Sequence, residues 1–153
     1  MATVSIRGRL AIGAMLAALG SAATLGEVLA FGATDARLPA AEEFGLGPRV
    51  SANGVYTAIL EPREPFALRK MHTVAVRLRD SNGKPIAGAA ISVGGGMPEH
   101  RHGLPTQPRL TGELGDGVYE IQGVRFSMGG WWQLRLAIES PAGVDSVTFN
   151  LSL

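Results

Sequence analysis

The sequence contains no cysteine and only 6% aromatic residues, and its basic and acidic side chains almost balance. Without cysteine the chain can form neither a disulfide nor a thiolate metal site, and it has no thiol nucleophile. It also shows no basic excess of the kind that nucleic-acid binding demands. These absences exclude disulfide scaffolds, cysteine enzymes and nucleic-acid partners, so a folded domain must depend on its hydrophobic core.

The one long apolar stretch lies at the N-terminus. Arg7 and Arg9 precede residues 10–25, which are almost wholly apolar or small. This order predicts that residues 1–32 are a secretory signal peptide or, if retained, an N-terminal membrane anchor helix. We therefore expect an exported protein, either periplasmic or anchored to the outer face of the inner membrane, that meets the membrane only through such an anchor.

The remaining chain divides into a spacer and one domain. Residues 33–52 contain Pro39 and Pro48 and show no sustained periodicity, so we interpret them as a spacer with a short helical turn around residues 40–44. Residues 53–153 are enough for one small domain.

Short apolar runs separated by turn residues fill this domain. Residues 72–78 and 132–138 alternate apolar and polar side chains at the period of a strand, and Asn82-Gly83 marks a turn. About seven such runs predict an all-β fold, an immunoglobulin-like antiparallel β-sandwich preceded by the signal or anchor helix; a partly open barrel is the alternative. The predicted core comprises Val74, Val76, Leu78, Ile91, Val93, Tyr119, Ile121, Trp132, Leu134, Leu136, Ile138, Val147 and Phe149.

Counting strands places the connections 61–70, 94–107 and 123–130 at one end of the domain, which we name the histidine end. Antiparallel strands alternate in direction, so successive connections fall alternately at two ends. All histidines and all methionines after residue 32 lie in or beside these three connections: Met71, His72, Met97, His100, His102 and Met128.

Thioether and imidazole together favour copper among the common metals. The spacing Met97-x-x-His100-x-His102 presents one sulfur and two imidazoles from one connection, and Met128 completes a candidate copper site. Met71 and His72 are additional candidate ligands. The alternatives are that Met97 packs in the core, that His100 and His102 are solvated loop residues, and that His72 is hydrogen-bonded and partly buried.

Other chemistry has little support in the sequence. Glu99 stands beside His100, but no serine-centred nucleophile motif accompanies them, so we predict no enzyme activity. Residues 94–96 are three glycines without the helix and lysine of a phosphate loop, and we interpret them as a flexible loop entrance. Strand alternation predicts that Trp132 is in the core and that Trp131 is exposed at the rim, where it could contact a partner.

Four motifs, taken in order, resemble the YtkA-like/FixH-like domain of exported bacterial proteins. They read Asp80-x-x-Gly-Lys-Pro-Ile-Ala-Gly-Ala, Met97-Pro-Glu-His-x-His-Gly-Leu-Pro-Thr106-x-Pro, Gly115-Asp-Gly-x-Tyr119 and Phe126-Ser-Met128-x-Gly-x-Trp. The resemblance implies a β-sandwich that is periplasmic or close to the membrane surface. It also implies a link, known for some members, to copper handling and respiratory oxidase assembly. Met97, His100, His102 and Met128 fall on the distinctive positions of the family.

The chain departs from the family pattern at three neighbouring positions. Arg101 stands where many members have glycine, Leu104 where they have a second methionine, and Ser127 where they have histidine. Two potential ligands are thus absent, and a cation lies between the two histidines.

Two functions remain open from the sequence. The first is an exported, non-enzymatic accessory protein that binds copper through Met97, His100, His102 and Met128, in metal handling or respiratory-complex assembly. The second is a metal-free β-sandwich interaction module that docks a periplasmic or membrane protein.

Overall fold

The computed structural model describes residues 37–153, so the predicted signal or anchor helix of residues 1–32 lies outside the described part. Apart from two 3-10 turns at Ala41–Glu43 and Pro98–His100, residues 37–153 contain strands and loops. No helix of these residues has the length and hydrophobicity of a membrane span. The strands are β1 (Arg49–Val50), β2 (Tyr56–Pro62), β3 (Met71–Asp80), β4 (Ala90–Met97), β5 (His102–Gly103), β6 (Arg109–Gly115), β7 (Val118–Arg125), β8 (Trp131–Ser140) and β9 (Gly143–Ser152).

All strand pairs are antiparallel, which confirms the all-β antiparallel prediction. The strand order is β1-β2-β3-β7-β6-β4-β8-β9, and β5 pairs with β4 off this path. The link between β6 and β4 consists of one residue pair, Ser92 with Arg109, so the sheet bends there into two facing halves. Side chains from the inner faces of both halves form the single core.

The free edges of the two halves approach each other, which makes the architecture nearly barrel-like. Phe44 forms a parallel bridge with Asn150 of β9, and the Ala52 N–H donates to the Ser146 carbonyl at 2.9 Å. A spacer would lead away from the sheet, but residues 40–52 lie against it. The expected turn near residues 40–44 is the 3-10 turn Ala41–Glu43.

Residues 37–153 form nine strands, where the sequence predicts about seven. The two extra strands, β1 and β5, are two residues long, and two residues show no alternation. Every predicted core residue is buried except Val93, which is partly buried because it lines an open groove of about 670 Å³ between β4 and residues 103–110.

The glycine run 94–96 is part of strand β4, so its interpretation as a flexible loop entrance is wrong. Backbone from both neighbouring strands approaches these glycines closely. A Cβ on Gly95 would lie 2.1 Å from the Gln133 oxygen, and a Cβ on Gly96 would lie 2.3 Å from the His102 oxygen. Glycine is required by this close approach, although its weak strand propensity makes the run look like a loop.

Candidate functional site

The two histidines of the 94–107 connection are held by a tight reversal of the chain. Strand β4 ends at Met97, and Pro98–His100 forms a 3-10 turn that begins with proline, whose fixed φ suits a first helical position. Arg101 then adopts the left-handed conformation, with φ of 53°, and the chain returns as β5 to pair with β4. The Leu104 N–H donates to the Gly95 carbonyl at 3.1 Å, so backbone hydrogen bonds order this loop.

His100 and His102 form an exposed pair of rings, the histidine pair. Their ring centres are 6.1 Å apart and their planes are inclined by 27°. His102 Nδ1 lies 3.0 Å from the Gly103 carbonyl, an oxygen that can only accept, so Nδ1 carries the proton and donates. In this tautomer Nε2 of His102 presents its lone pair, and a backbone carbonyl on the other nitrogen is the usual arrangement of a metal-binding imidazole.

Trp132 lies directly beneath this pair and connects it to the 126–130 loop. Its fully buried ring meets His102 edge to face, with centres 5.4 Å apart and planes at 66°. Its indole Nε1–H donates to the Met128 carbonyl at 2.9 Å. One buried side chain therefore contacts both the 94–107 connection and the 126–130 loop.

The two methionines of the predicted site have different environments. Met97 is 1% exposed. It lies directly opposite His102 across the β4–β5 pair, and the side chains of two such partners are on the same face of the sheet. A Cβ added at Gly130 would lie only 2.8 Å from the methyl carbon of Met97. Met128 is 41% exposed. Met97 is thus a packing residue beneath the histidine pair, and Met128 has the more accessible sulfur.

Met71 and His72 belong to the same end but are separated from the histidine pair. His72 is buried, with Nε2 at 3.1 Å from the Ala67 nitrogen and 2.9 Å from its oxygen, and its ring packs edge to face on Phe66. The ring of Phe126 lies between His72 and Trp132, at 6.5 Å from the first and 5.3 Å from the second. His72 therefore has the hydrogen-bonded, buried environment that its strand position predicts.

These ring contacts bring the connections 61–70, 94–107 and 123–130 to one end, as the strand count predicts. Sequence reasoning missed the part played by Phe126, whose buried ring contacts both Phe66 and Trp132. Its signals in the sequence were its position just after a strand-like run and its place at the start of the motif Phe126-Ser-Met128-x-Gly-x-Trp. Within residues 37–153, no three histidine or acidic side chains converge as a metal-binding group.

Trp131 is 4% exposed, so the prediction that it faces solvent is wrong. It does point away from the core, but its indole Nε1–H donates to Asn150 Oδ1 at 3.0 Å. The Asn150 side chain also donates through Nδ2 to the Glu43 carbonyl at 3.3 Å, and its backbone carbonyl accepts from the Gly45 N–H at 2.9 Å. Asn150 thus links Trp131 to the segment around Glu43 and Gly45, a contact that strand alternation cannot predict.

The end opposite the histidine end contains a buried carboxylate, Asp145. Burial acts to raise the pKa of Asp145, but hydrogen bonds from Ser51 and from the N–H groups of Ser146, Asn53 and Val55 prevail and lower the pKa below its ordinary value. Both carboxylate oxygens accept from the Asn53 N–H, at 3.1 and 3.0 Å. The group is therefore charged, saturated with donors and structural.

Comparison with known proteins identifies a family for most of the domain. Residues 50–137 match the family described as YtkA-like. This range contains all three connections of the histidine end, and it contains Trp132. No curated protein matches the chain.

Proposed function

We propose that this chain, which belongs to the YtkA-like family, is an exported, non-enzymatic accessory protein that binds copper. His100 and His102 are its primary ligands, and Met128 and Met97 are its sulfur ligands. In this proposal the protein carries copper, or assists in assembling a respiratory complex, in the periplasm or on the outer face of the inner membrane.

The geometry of the histidine pair carries the proposal. Metal–nitrogen bonds of about 2 Å require that two imidazoles on one ion have ring centres about 5 to 6.5 Å apart. The observed separation of 6.1 Å falls in that range, and both rings are exposed. The Nδ1 hydrogen bond of His102 directs its lone pair to Nε2. Both imidazoles could bind one ion if side-chain rotation turned a nitrogen of each ring toward the other.

The sulfur ligands favour copper over zinc in this proposal, because thioethers bind Cu(I) well and zinc poorly. Met128 lies in the loop that Trp132 fixes beside His102, and its unbranched side chain can rotate toward the pair. Met97 lies beneath the pair and can contribute its sulfur only if its buried side chain turns outward.

Copper titration of the full chain tests the proposal. We expect one Cu(I) per chain, an affinity reduced by a hundredfold or more in His100→Ala/His102→Ala, and a smaller reduction, confined to Cu(I), in Met128→Ala. Met71→Ala is the matched control, since Met71 is also exposed and also at this end. Equal binding by the double variant and the unmodified chain would refute the assigned site.

A second candidate function is the metal-free interaction module that docks a periplasmic or membrane protein. It is favoured because protein contacts alone order the 94–107 connection. Leu104 is hydrogen-bonded to Gly95, and Met97 is packed in the core. It predicts that excess copper leaves the melting temperature unchanged, whereas a ligand at a hundredfold its Kd stabilises by about 2.7 kcal/mol.

We also infer that the fold is a sandwich of the immunoglobulin type. The seven longer strands divide into β2-β3-β7-β6 and β4-β8-β9. Lettered A to G along the chain, they reproduce the ABED and CFG order of immunoglobulin constant-type domains. Among the described residues, the departures from that order are the two-residue strands β1 and β5 and the residue pair that links β6 to β4.

A further inference from the structure

Three large apolar side chains at the histidine end are exposed. Met71 is 64%, Leu68 44% and Met128 41% exposed. They lie in or beside two connections that are joined by a 2.7 Å hydrogen bond from the Arg69 N–H to the Phe126 carbonyl. They thus belong to one surface, the apolar tip, which we define as Leu68, Met71 and Met128.

Cations surround the apolar tip. Arg69 and Lys70 lie between Leu68 and Met71 in the sequence, Arg125 faces Met71 across the β3–β7 pair, and Arg101 separates the histidines. Within residues 37–153 these four cations take part in none of the ion pairs, which are Arg63 with Glu120, Arg77 with Glu61 and Arg79 with Asp116.

The charge reverses along the molecule. The connections of the histidine end contain three acids, Glu61, Glu64 and Glu99, against five cations, which are Arg63 and the four unpaired ones. At the opposite end the acids outnumber the bases Arg79 and Lys84. These acids are Asp80, Glu113, Asp116, Glu139 and Asp145. The histidine end, with its apolar tip, is therefore net positive, and the opposite end is net negative.

The chain also enters the fold near this end. Phe44 pairs with Asn150, which lies opposite Gln133 close to the start of β8, and β8 begins at the histidine end. A retained anchor formed by residues 1–32 would consequently join the domain on the side of the apolar tip. With a short connection, the tether would hold this end toward the membrane.

We propose that the histidine end docks on the surface of an anionic phospholipid bilayer. Leu68, Met71 and Met128 insert among the headgroups, and Arg69, Lys70 and Arg125 pair with lipid phosphates. Apolar side chains surrounded by cations are the combination that interfacial membrane binding uses, and each Lys or Arg near an anionic surface strengthens it about fivefold. This contact goes beyond the expected attachment through residues 1–32 and needs no metal.

Docking would place the histidine pair at the membrane surface. His100 and His102 belong to the same end as the apolar tip, so an ion bound there would face the bilayer and its embedded proteins. The proposal nevertheless stands independently of copper, because its test is made without metal.

Hydrogen–deuterium exchange of the full chain in nanodiscs tests the docking. One set of discs contains phosphatidylcholine alone, and the other contains equal parts of phosphatidylcholine and phosphatidylglycerol. Both accept an apolar N-terminal segment, so a difference between them reports the domain itself. We expect slower exchange in residues 66–73 and 124–130 only in the anionic discs.

Matched charge variants sharpen the test. Arg69→Gln/Lys70→Gln should lower the ratio of docked to undocked protein about 30-fold. Lys84→Gln, at the opposite end, should leave this ratio unchanged. Equal exchange in the two kinds of disc, or equal effects of the two variants, would overturn the proposal. Slowing of the same residues by soluble polyglutamate, without any effect of anionic lipid, would instead identify an acidic protein as the partner and would also overturn it.

Discussion

Polar side chains at the two ends of the sheet differ in burial and in hydrogen bonding. At one end the carboxylate of Asp145 is buried and accepts hydrogen bonds from Asn53, Val55 and Ser146. At the other end His100 and His102 are exposed, and Nδ1 of His102 makes the only hydrogen bond from either ring among the described residues. Polar groups that the protein saturates hold the fold, while exposed ring nitrogens remain available to a ligand.

The same contrast occurs within the histidine end. Met97, His72 and Trp132 are buried and fix the loops, whereas Met128, His100 and His102 are exposed on top of them. The buried layer should therefore govern stability and the exposed layer binding. Substitutions in the two layers, and at the two ends, can separate these effects.

The largest difference is expected between the two methionines. Met97→Ala removes a buried side chain and leaves a cavity, which should lower the free energy of unfolding by about 2–5 kcal/mol. Met128→Ala removes an exposed one and should change it by less than about 0.5 kcal/mol. Urea unfolding of both variants measures the difference. A similar loss in both would show that the layers are not distinct.

Asp145→Asn should cost about 2–3 kcal/mol of unfolding free energy. The amide carries less charge than the carboxylate, and its NH2 group faces N–H donors that it cannot satisfy. Asp80→Asn is the matched control, because Asp80 also accepts two backbone N–H groups, from Asn82 and Lys84, but at a more exposed turn. A smaller effect at Asp145 than at Asp80 would contradict the structural role of the buried carboxylate.

The pH dependence of stability should carry the signature of Asp145. Its pKa is lowered in the folded protein, so its contribution is fully present above the unfolded value of about 3.9 and is lost as pH falls through the folded pKa. The stability advantage of the unmodified chain over Asp145→Asn should be constant from pH 7 to about pH 5 and shrink below about pH 4. Guanidinium unfolding at several pH values checks this, and an advantage that is as large at pH 2 as at pH 7 would contradict it.

The smallest effect is expected at Arg101. Arg101→Gly relieves a left-handed backbone that costs a side-chain residue about 1 kcal/mol, but glycine gains a similar entropy in the unfolded chain, so stability should change by less than about 1 kcal/mol. Loss of the cation should raise copper affinity roughly fivefold at low salt and less at high salt. Arg101→Gln, which removes the charge and keeps a side chain, should match Arg101→Gly in affinity. If only the glycine variant binds better, backbone strain is the cause.

Local pattern was sufficient for most of the fold. Alternation in residues 72–78 and 132–138 identifies β3 and β8 and the faces that they bury, because a strand shows its environment at period two. Strand parity also places the histidines and methionines at one end. The pattern failed at β5, which is too short to alternate, and at Gly94–Gly96, where contact with neighbouring strands outweighs propensity.

Long-range contacts determined the rest. Trp131 is buried and bonded to Asn150, which also binds Glu43, more than 80 positions away in sequence. Met97 is buried and Met128 exposed, a distinction that depends on how Gly130 and Trp132 pack and that no local spacing encodes. Composition and alternation thus establish that a sheet forms and that the methionines and histidines share one end. Which of these side chains faces solvent depends on packing between segments that only folding brings together.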